Sequence, residues 1–156
     1  VKVAVIGSFK QHYEAVQDAI SIFRAAGLHV TSPAGSELAI AGVDFVRFET
    51  DQADHSDAEI QAVTLCNIFV ADAVYVIAPN GYVGRTTCYE IGRIIQAGKP
   101  LYFSECISDL PIEIPFGHVI SAAELCQKLI AHDVSGLAWV GGSVIADAEA
   151  RLVGSA

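Results

Sequence analysis

Short β-branched runs alternate along this chain with stretches in which apolar residues recur every three or four positions. That alternation restricts the fold more than any other feature, because strands alternating with helices are satisfied by a parallel sheet with helices packed on it. Residues 2–6 form the first run and end in Gly7-Ser8-Phe9, as a buried parallel strand ends in a turn. Ala15, Val16, Ala19, Ile20, Phe23 and Ala26 then keep helical spacing up to Gly27, a residue suited to stopping a helix. Residues 28–31 read as a second strand, broken by Ser32-Pro33-Ala34-Gly35. Ser56 and Glu59 have capping-box spacing, and a helix is predicted from there to about residue 70. Strands at 73–78 and 101–103 bracket a glycine-bearing loop and a helix predicted over 87–97, with Gly98 as its stop. Residues 118–120 supply a fifth strand, and 122–131 a helix with Ser121 as N-cap.

The expected fold is therefore α/β: an open, mainly parallel five-stranded sheet with helices on both faces, flavodoxin- or Rossmann-like. Right-handed crossovers favour the strand order 2-1-3-4-5. In that order the turns after the first and third strands face each other at the switch point, where ligands of open α/β sheets bind. Residues 36–54 carry no clean period, and 43–48 reads as a strand, an edge hairpin or a lid. Residues 1–133 are expected to form one domain, and 134–156 a tail packing on that domain or on a partner subunit. The tail holds Gly136, Gly141, Gly142 and Gly154 around Trp139, and Ile145, Ala148 and Leu152 share one stripe of a short helix. An exposed Trp139 would be costly on a monomer, so a homo-oligomer, a dimer, is expected.

Composition narrows the function classes. With 53% hydrophobic and 17% charged residues, the chain is not of the disordered class. No apolar run approaches the roughly 18 residues of a membrane span, and no basic stretch followed by a long apolar one marks a signal peptide. A cytoplasmic location without a membrane partner is expected. The net charge of −9 argues against a nucleic-acid polymer, which needs a basic surface. A small anion remains compatible, because a local group of backbone N–H donors can hold a phosphate inside an acidic protein. Cys66, Cys88, Cys106 and Cys126 are scattered without a C-x-x-C pair and read as buried reduced thiols. His12, His29 and His132 read as surface or satisfied side chains. Neither a metal site nor a cofactor is expected.

The chemistry concentrates between residues 79 and 92. Gly81 and Gly84 permit a tight turn and close approach to a ligand. Arg85, Thr86 and Thr87 stand where the next helix begins, so its open N–H groups, two hydroxyls and a guanidinium can cradle a phosphate or a sugar hydroxyl. Tyr82 either stacks on a nucleobase or covers the loop. Glu90 admits two readings. With Thr87 it has capping-box spacing, the carboxylate reaching back to the Thr87 N–H. Alternatively the carboxylate faces the crevice, where it can attack the anomeric carbon of a sugar.

The stretch over residues 73–100, with Glu90-Ile91-Gly92 and the closing Gly98-Lys99, resembles the nucleoside 2-deoxyribosyltransferase superfamily, whose members include base-exchanging transferases and nucleotide N-glycosidases. Val5-Ile6-Gly7-Ser8-Phe9 is similar to that family's first strand and substrate loop, and the resemblance spans roughly residues 2–105. It implies an activity on the N-glycosidic bond of a nucleoside or nucleoside 5′-monophosphate. Glu90 would be the nucleophile, Ser8 and Phe9 would line the sugar and base pocket, and Gly84, Arg85, Thr86 and Thr87 would hold the sugar's 5′ end; Gly7, Gly81 and Tyr82 are expected to join them in binding the substrate. The family's transferases place further carboxylates before the third strand and ahead of the nucleophile. Here Thr64 and Asn67 stand in the first region, and no acid lies between Asn80 and Cys88. Asp54, His55 and Asp57 are then the candidates for proton transfer, although acids also favour any helix start. Residues 79–90 are similar, too, to the Pro-Gly-Gly-x-Gly-Thr-x-x-Glu motif of lysine-decarboxylase-like phosphoribohydrolases, with different spacing and one glycine fewer. A non-catalytic nucleotide-binding or sensing module is the alternative of another class.

Overall fold

The computed structural model describes residues 1–34, 38–40, 47–48 and 54–152. In chain order its elements are β1 (Lys2–Gly7), α1 (Phe9–Ala25), β2 (His29–Ser32), β3 (Leu38–Ile40), β4 (Arg47–Phe48), α2 (Asp57–Phe69), β5 (Ala73–Ile77), α3 (Arg85–Gln96), β6 (Leu101–Phe103), α4 (Ala122–Ile130) and α5 (Val144–Leu152). A single 3-10 turn at Pro79–Gly81 precedes α3.

β1 is buried from Val3 onward. Its Val3 and Val5 side chains enter one core, while Ala4 and Ile6 enter another, because successive residues of a strand point to opposite faces. β5 divides in the same way, sending Tyr75 and Ile77 to the first core and Val74 and Val76 to the second. A continuous apolar run is what a strand covered on both faces requires. α1 and α4 cover the first face through Val16, Ile20, Phe23, Leu125 and Leu129. α2 and α3 cover the second through Ile68, Ile91 and Ile94. Both cores rest on burial of branched and aromatic side chains, each contributing about 1.5–3 kcal/mol.

The open sheet has four parallel strands in the order β2-β1-β5-β6. This corrects the expected five-stranded sheet of order 2-1-3-4-5. Residues 118–120 make only an isolated bridge, Val119 to Phe103, in which the Phe103 N–H donates to the His118 carbonyl and the Ile120 N–H to Phe103. Ser121 already caps α4, and Ser104 turns away to bond Ala78 and Val76, so neither side has length left for a ladder. β3 and β4 pair antiparallel apart from the main sheet; residues 43–46 of the expected element at 43–48 lie outside the described residues.

The tail from Val134 runs over its own domain. Ser135 N–H donates to the Tyr102 hydroxyl, and the Trp139 indole N–H to the Glu113 carbonyl. Trp139 is half-buried rather than exposed, because residues of the proline-bearing connection of the same chain cover it. Trp139 itself therefore gives no reason for a dimer, while the apolar Val140 and Val144 near it stay exposed. All four cysteines are unpaired, but only Cys126 is buried, Cys66 and Cys106 being exposed and Cys88 half-buried. Their sequence positions fall on outward helix and loop surfaces as well as the core. Among the described residues no helix is long and apolar enough to cross a membrane.

Ile94→Ala, which empties a fully buried position, is expected to cost about 2–5 kcal/mol in denaturant unfolding. Val63→Ala, at a position 53% exposed on α2, should stay within about 0.5 kcal/mol of the parent. Equal effects at the two positions would contradict the two-core arrangement.

Candidate functional site

The chain leaves β1 toward β2 on one side and returns to β5 on the other, so the turns after β1 and β5 open side by side at the carboxyl ends of the strands. Gly7 stands opposite Ile77 in that pairing. A Cβ on Gly7 would lie 2.8 Å from the Ile77 carbonyl oxygen, a fixed backbone atom, so only glycine lets the two strand ends approach this closely. A Cβ on Gly84 would lie 3.6 Å from Ser8 Oγ, an ordinary contact that places the start of α3 against the start of α1.

Between these turns lies a crevice of about 700 Å³. Gly7, Ser8, Phe9, Lys10 and Gln11 form one wall, and Tyr82, Gly84, Arg85, Thr86, Thr87, Tyr89 and Glu90 another. Asp57, Ala58, Ile60, Gln61 and Thr64 of α2 close the third. Nearly all the residues singled out around Ser8 and Gly84 are thus brought together.

Two of the three walls begin with an unusual helix start. α2 and α4 carry complete capping boxes, Ser56 with Glu59 and Ser121 with Glu124. α1 and α3, whose first turns flank Ser8 and Gly84, have no side-chain cap. Their first turns carry the positive end of the helix dipole. Lys10 and Arg85 stand beside them in the same crevice. In a chain of net charge −9, this corner is suited to an anionic group.

α3 starts at Arg85 with Gly84 as N-cap, two residues earlier than expected. Thr87 and Glu90 consequently lie inside the helix and form no capping box. The reason is that the extended backbone of Gly84 already accepts the first helical bond, from the Cys88 N–H. Glu90, 5% exposed, faces the crevice instead. Its Oε1 accepts a hydrogen bond of 2.8 Å from the Gln61 amide. Burial pushes its carboxyl up to about 7 from an ordinary 4.5, with the Gln61 donor pulling the other way. A carboxyl in that range changes charge around neutral pH, as acid–base or nucleophilic chemistry requires.

The glycine loop is held from outside. Ser104 Oγ accepts from the Ala78 N–H, Glu105 from Asn80 N–H, and Asp109 from Val83 N–H. Gly81, with φ of +76°, packs where a Cβ would meet Ser108 Oγ at 2.6 Å. It faces this clamp and does not line the crevice, so its role is to shape the loop, in place of the ligand contact expected of it. Tyr82 does line it, backed edge-on by the His12 ring at 5.8 Å. His12 sits at a kink inside α1, and its Nε2 is buried with no hydrogen-bond partner among the described residues.

Of the proton-transfer candidates, Asp57 lines the crevice while Asp54 and His55 do not. The α2 turn that begins at Ser56 points the first helical residue inward and leaves the two before it outside. Gln61 escaped the sequence reading. Its signal was a polar stripe, Asp57, Gln61 and Thr64, at helical spacing on one face of α2. Among the described residues no three His, Cys, Asp or Glu side chains gather as a metal site would need.

Comparison of the chain with family models, with curated proteins and with solved structures finds no match in any of the three.

The raised Glu90 carboxyl has a consequence for stability. Between pH 4.5 and about 7 the folded protein keeps a proton that the unfolded chain has released, so stability falls as pH rises through that window. At about 1.4 kcal/mol for each tenfold in proton affinity, the fully ionised carboxylate costs the fold about 3 kcal/mol. Glu90→Gln is expected to melt several degrees above the parent at pH 8 and to match it near pH 4.5. A variant less stable than the parent at pH 8 would contradict the burial described.

Proposed function

We propose that the crevice binds a nucleoside or nucleoside 5′-monophosphate and that Glu90 cleaves or transfers its N-glycosidic bond. The observation that carries this reading is a buried carboxylate, turned from its own helix start toward the crevice, next to two uncapped helix N-termini. The motif resemblance around Glu90-Ile91-Gly92 supports the same chemistry. An anionic 5′ end suits the corner formed by Ser8, Lys10, Arg85 and Thr86, where two helix N-termini and two cations converge. Phe9, Tyr82 and Tyr89 offer apolar faces for a base. The sugar then spans the space before Glu90.

In the reaction the ionised Glu90 oxygen attacks C1′ as the bond from C1′ to the base nitrogen breaks. The electron pair leaves with the base, which takes up a proton. Solvent supplies it, with Asp57 on the crevice wall as the carboxylate placed to relay it. Water or a second base then attacks C1′ of the glycosyl ester and restores the carboxylate.

Purified protein is expected to release free base from a nucleoside 5′-monophosphate or a deoxynucleoside, and Glu90→Gln to lose about 1,000-fold or more of that turnover. Because a nucleophile must be ionised, kcat/KM should rise with pH through about 7. A rate that instead falls above that point would make Glu90 an acid and overturn the nucleophile assignment. Saturable nucleotide binding with no base released under any condition would favour the sensing module. Arg85→Ala should raise KM for the monophosphate by roughly 10-fold and leave the unphosphorylated nucleoside little affected; equal effects on both would remove the phosphate from that corner.

A further inference from the structure

Among the described residues Glu90 is held through one oxygen only. The Gln61 amide nitrogen lies 2.8 Å from Oε1, and Gln61 comes from α2, an element separate from the α3 helix that carries Glu90. Both residues line the crevice. Ile60 beside Gln61 is buried, and Ile91 beside Glu90 is buried in the core under α2 and α3. The two helices are therefore anchored by neighbours of the pair, and the bond between them is made from fixed positions. A carboxylate with one oxygen bound to a neutral donor keeps the lone pairs of its second oxygen for another partner.

We propose that Gln61 is a positioning residue: its amide fixes Oε1 of Glu90 so that Oε2 is presented to the sugar carbon as the attacking atom. The assignment rests on the reading of Glu90 as nucleophile and adds to it which oxygen reacts and what orients it. A neutral donor suits this task. An acid at position 61 would share a proton with Glu90 or repel it, and a lysine would form a tight ion pair that lowers the carboxylate's nucleophilicity. An amide supports the ionised form and cannot take its proton. The remaining titratable or charged groups on the crevice walls are Lys10 of α1, Asp57 of α2, Tyr82 of the loop, and Arg85 and Tyr89 of α3.

The test uses the full chain with Gln61→Leu, which keeps the bulk and removes the donor, and Gln61→Glu, which replaces it with a titrating group. Two readouts are taken on each: steady-state base release over pH, and titration of the Glu90 side-chain carboxyl by carbon-13 NMR. Gln61→Leu should lower kcat roughly 10- to 100-fold, the loss of one hydrogen bond to a charged group, with KM changed less than about 3-fold. Its Glu90 carboxyl should titrate at higher pH than in the parent, and the rising limb of the rate profile should move with it. Gln61→Glu should titrate in two linked steps, as a carboxyl pair does, with turnover below that of the parent. A merely structural role would lower thermal stability without moving the titration. Unchanged kcat and an unchanged Glu90 titration in Gln61→Leu, with the parent active, would overturn the positioning role and leave the function standing. A parent that releases no base would overturn the function itself. The NMR titration would then still decide whether Gln61 holds the carboxylate, an unmoved midpoint counting against it.

Discussion

The parallel pairing of β1 with β5 is the constraint on which the site depends. Gly7 opposite Ile77 ends both strands at one level, and the missing Cβ at Gly7 lets the backbones close to a distance no side chain would allow. The two turns that follow start two helices pointing the same way, α1 from Ser8 and α3 from Gly84. The N-terminal ends of both helices therefore border one crevice. α2 supplies the remaining wall because it packs on the same face of the sheet as α3.

Within that frame the polar groups are arranged against the interest of stability. Two of the three helices at the crevice, α1 and α3, forgo side-chain caps, each worth about 1 kcal/mol, while α2 and α4 have theirs. Glu90 is buried with one amide donor and, among the described residues, no cation bonded to it. Rigidity comes from elsewhere: the side chains of Ser104, Glu105 and Asp109 bind three successive parts of the glycine loop. A loop held from behind keeps its front free for a ligand. A destabilised carboxylate beside two helix starts without side-chain caps makes that place the candidate site.

Much of this could be read from the chain alone, for reasons of period. The apolar runs at residues 3–6 and 73–77 are each long enough to show burial on both faces, and the spacing of Val16, Ala19, Ile20 and Phe23 shows one helix face. Capping boxes at Ser56 and Ser121 are contained within four residues, and both form. The same local pattern at Thr87 and Glu90 does not form, because Gly84 starts the helix earlier. Residues 118–120 have strand-like composition, yet among the described residues they make only an isolated bridge, to Phe103. Trp139 looked exposed from its neighbours and is covered by a connection more than twenty positions away.

What the sequence by itself determined is the alternation of strand and helix, the glycine turns at the strand ends and the presence of one carboxylate just inside α3. These follow from contacts between near neighbours and from the two periods of regular backbone. Only the tertiary structure decided that Gln61 meets Glu90, that Asp57 rather than Asp54 or His55 reaches the crevice, that Gly81 serves the loop clamp, and that the sheet stops at four strands. Each of these depends on strand register and on how two helices lie across one sheet face. Such relations join residues 16 or more positions apart, and no local spacing encodes them.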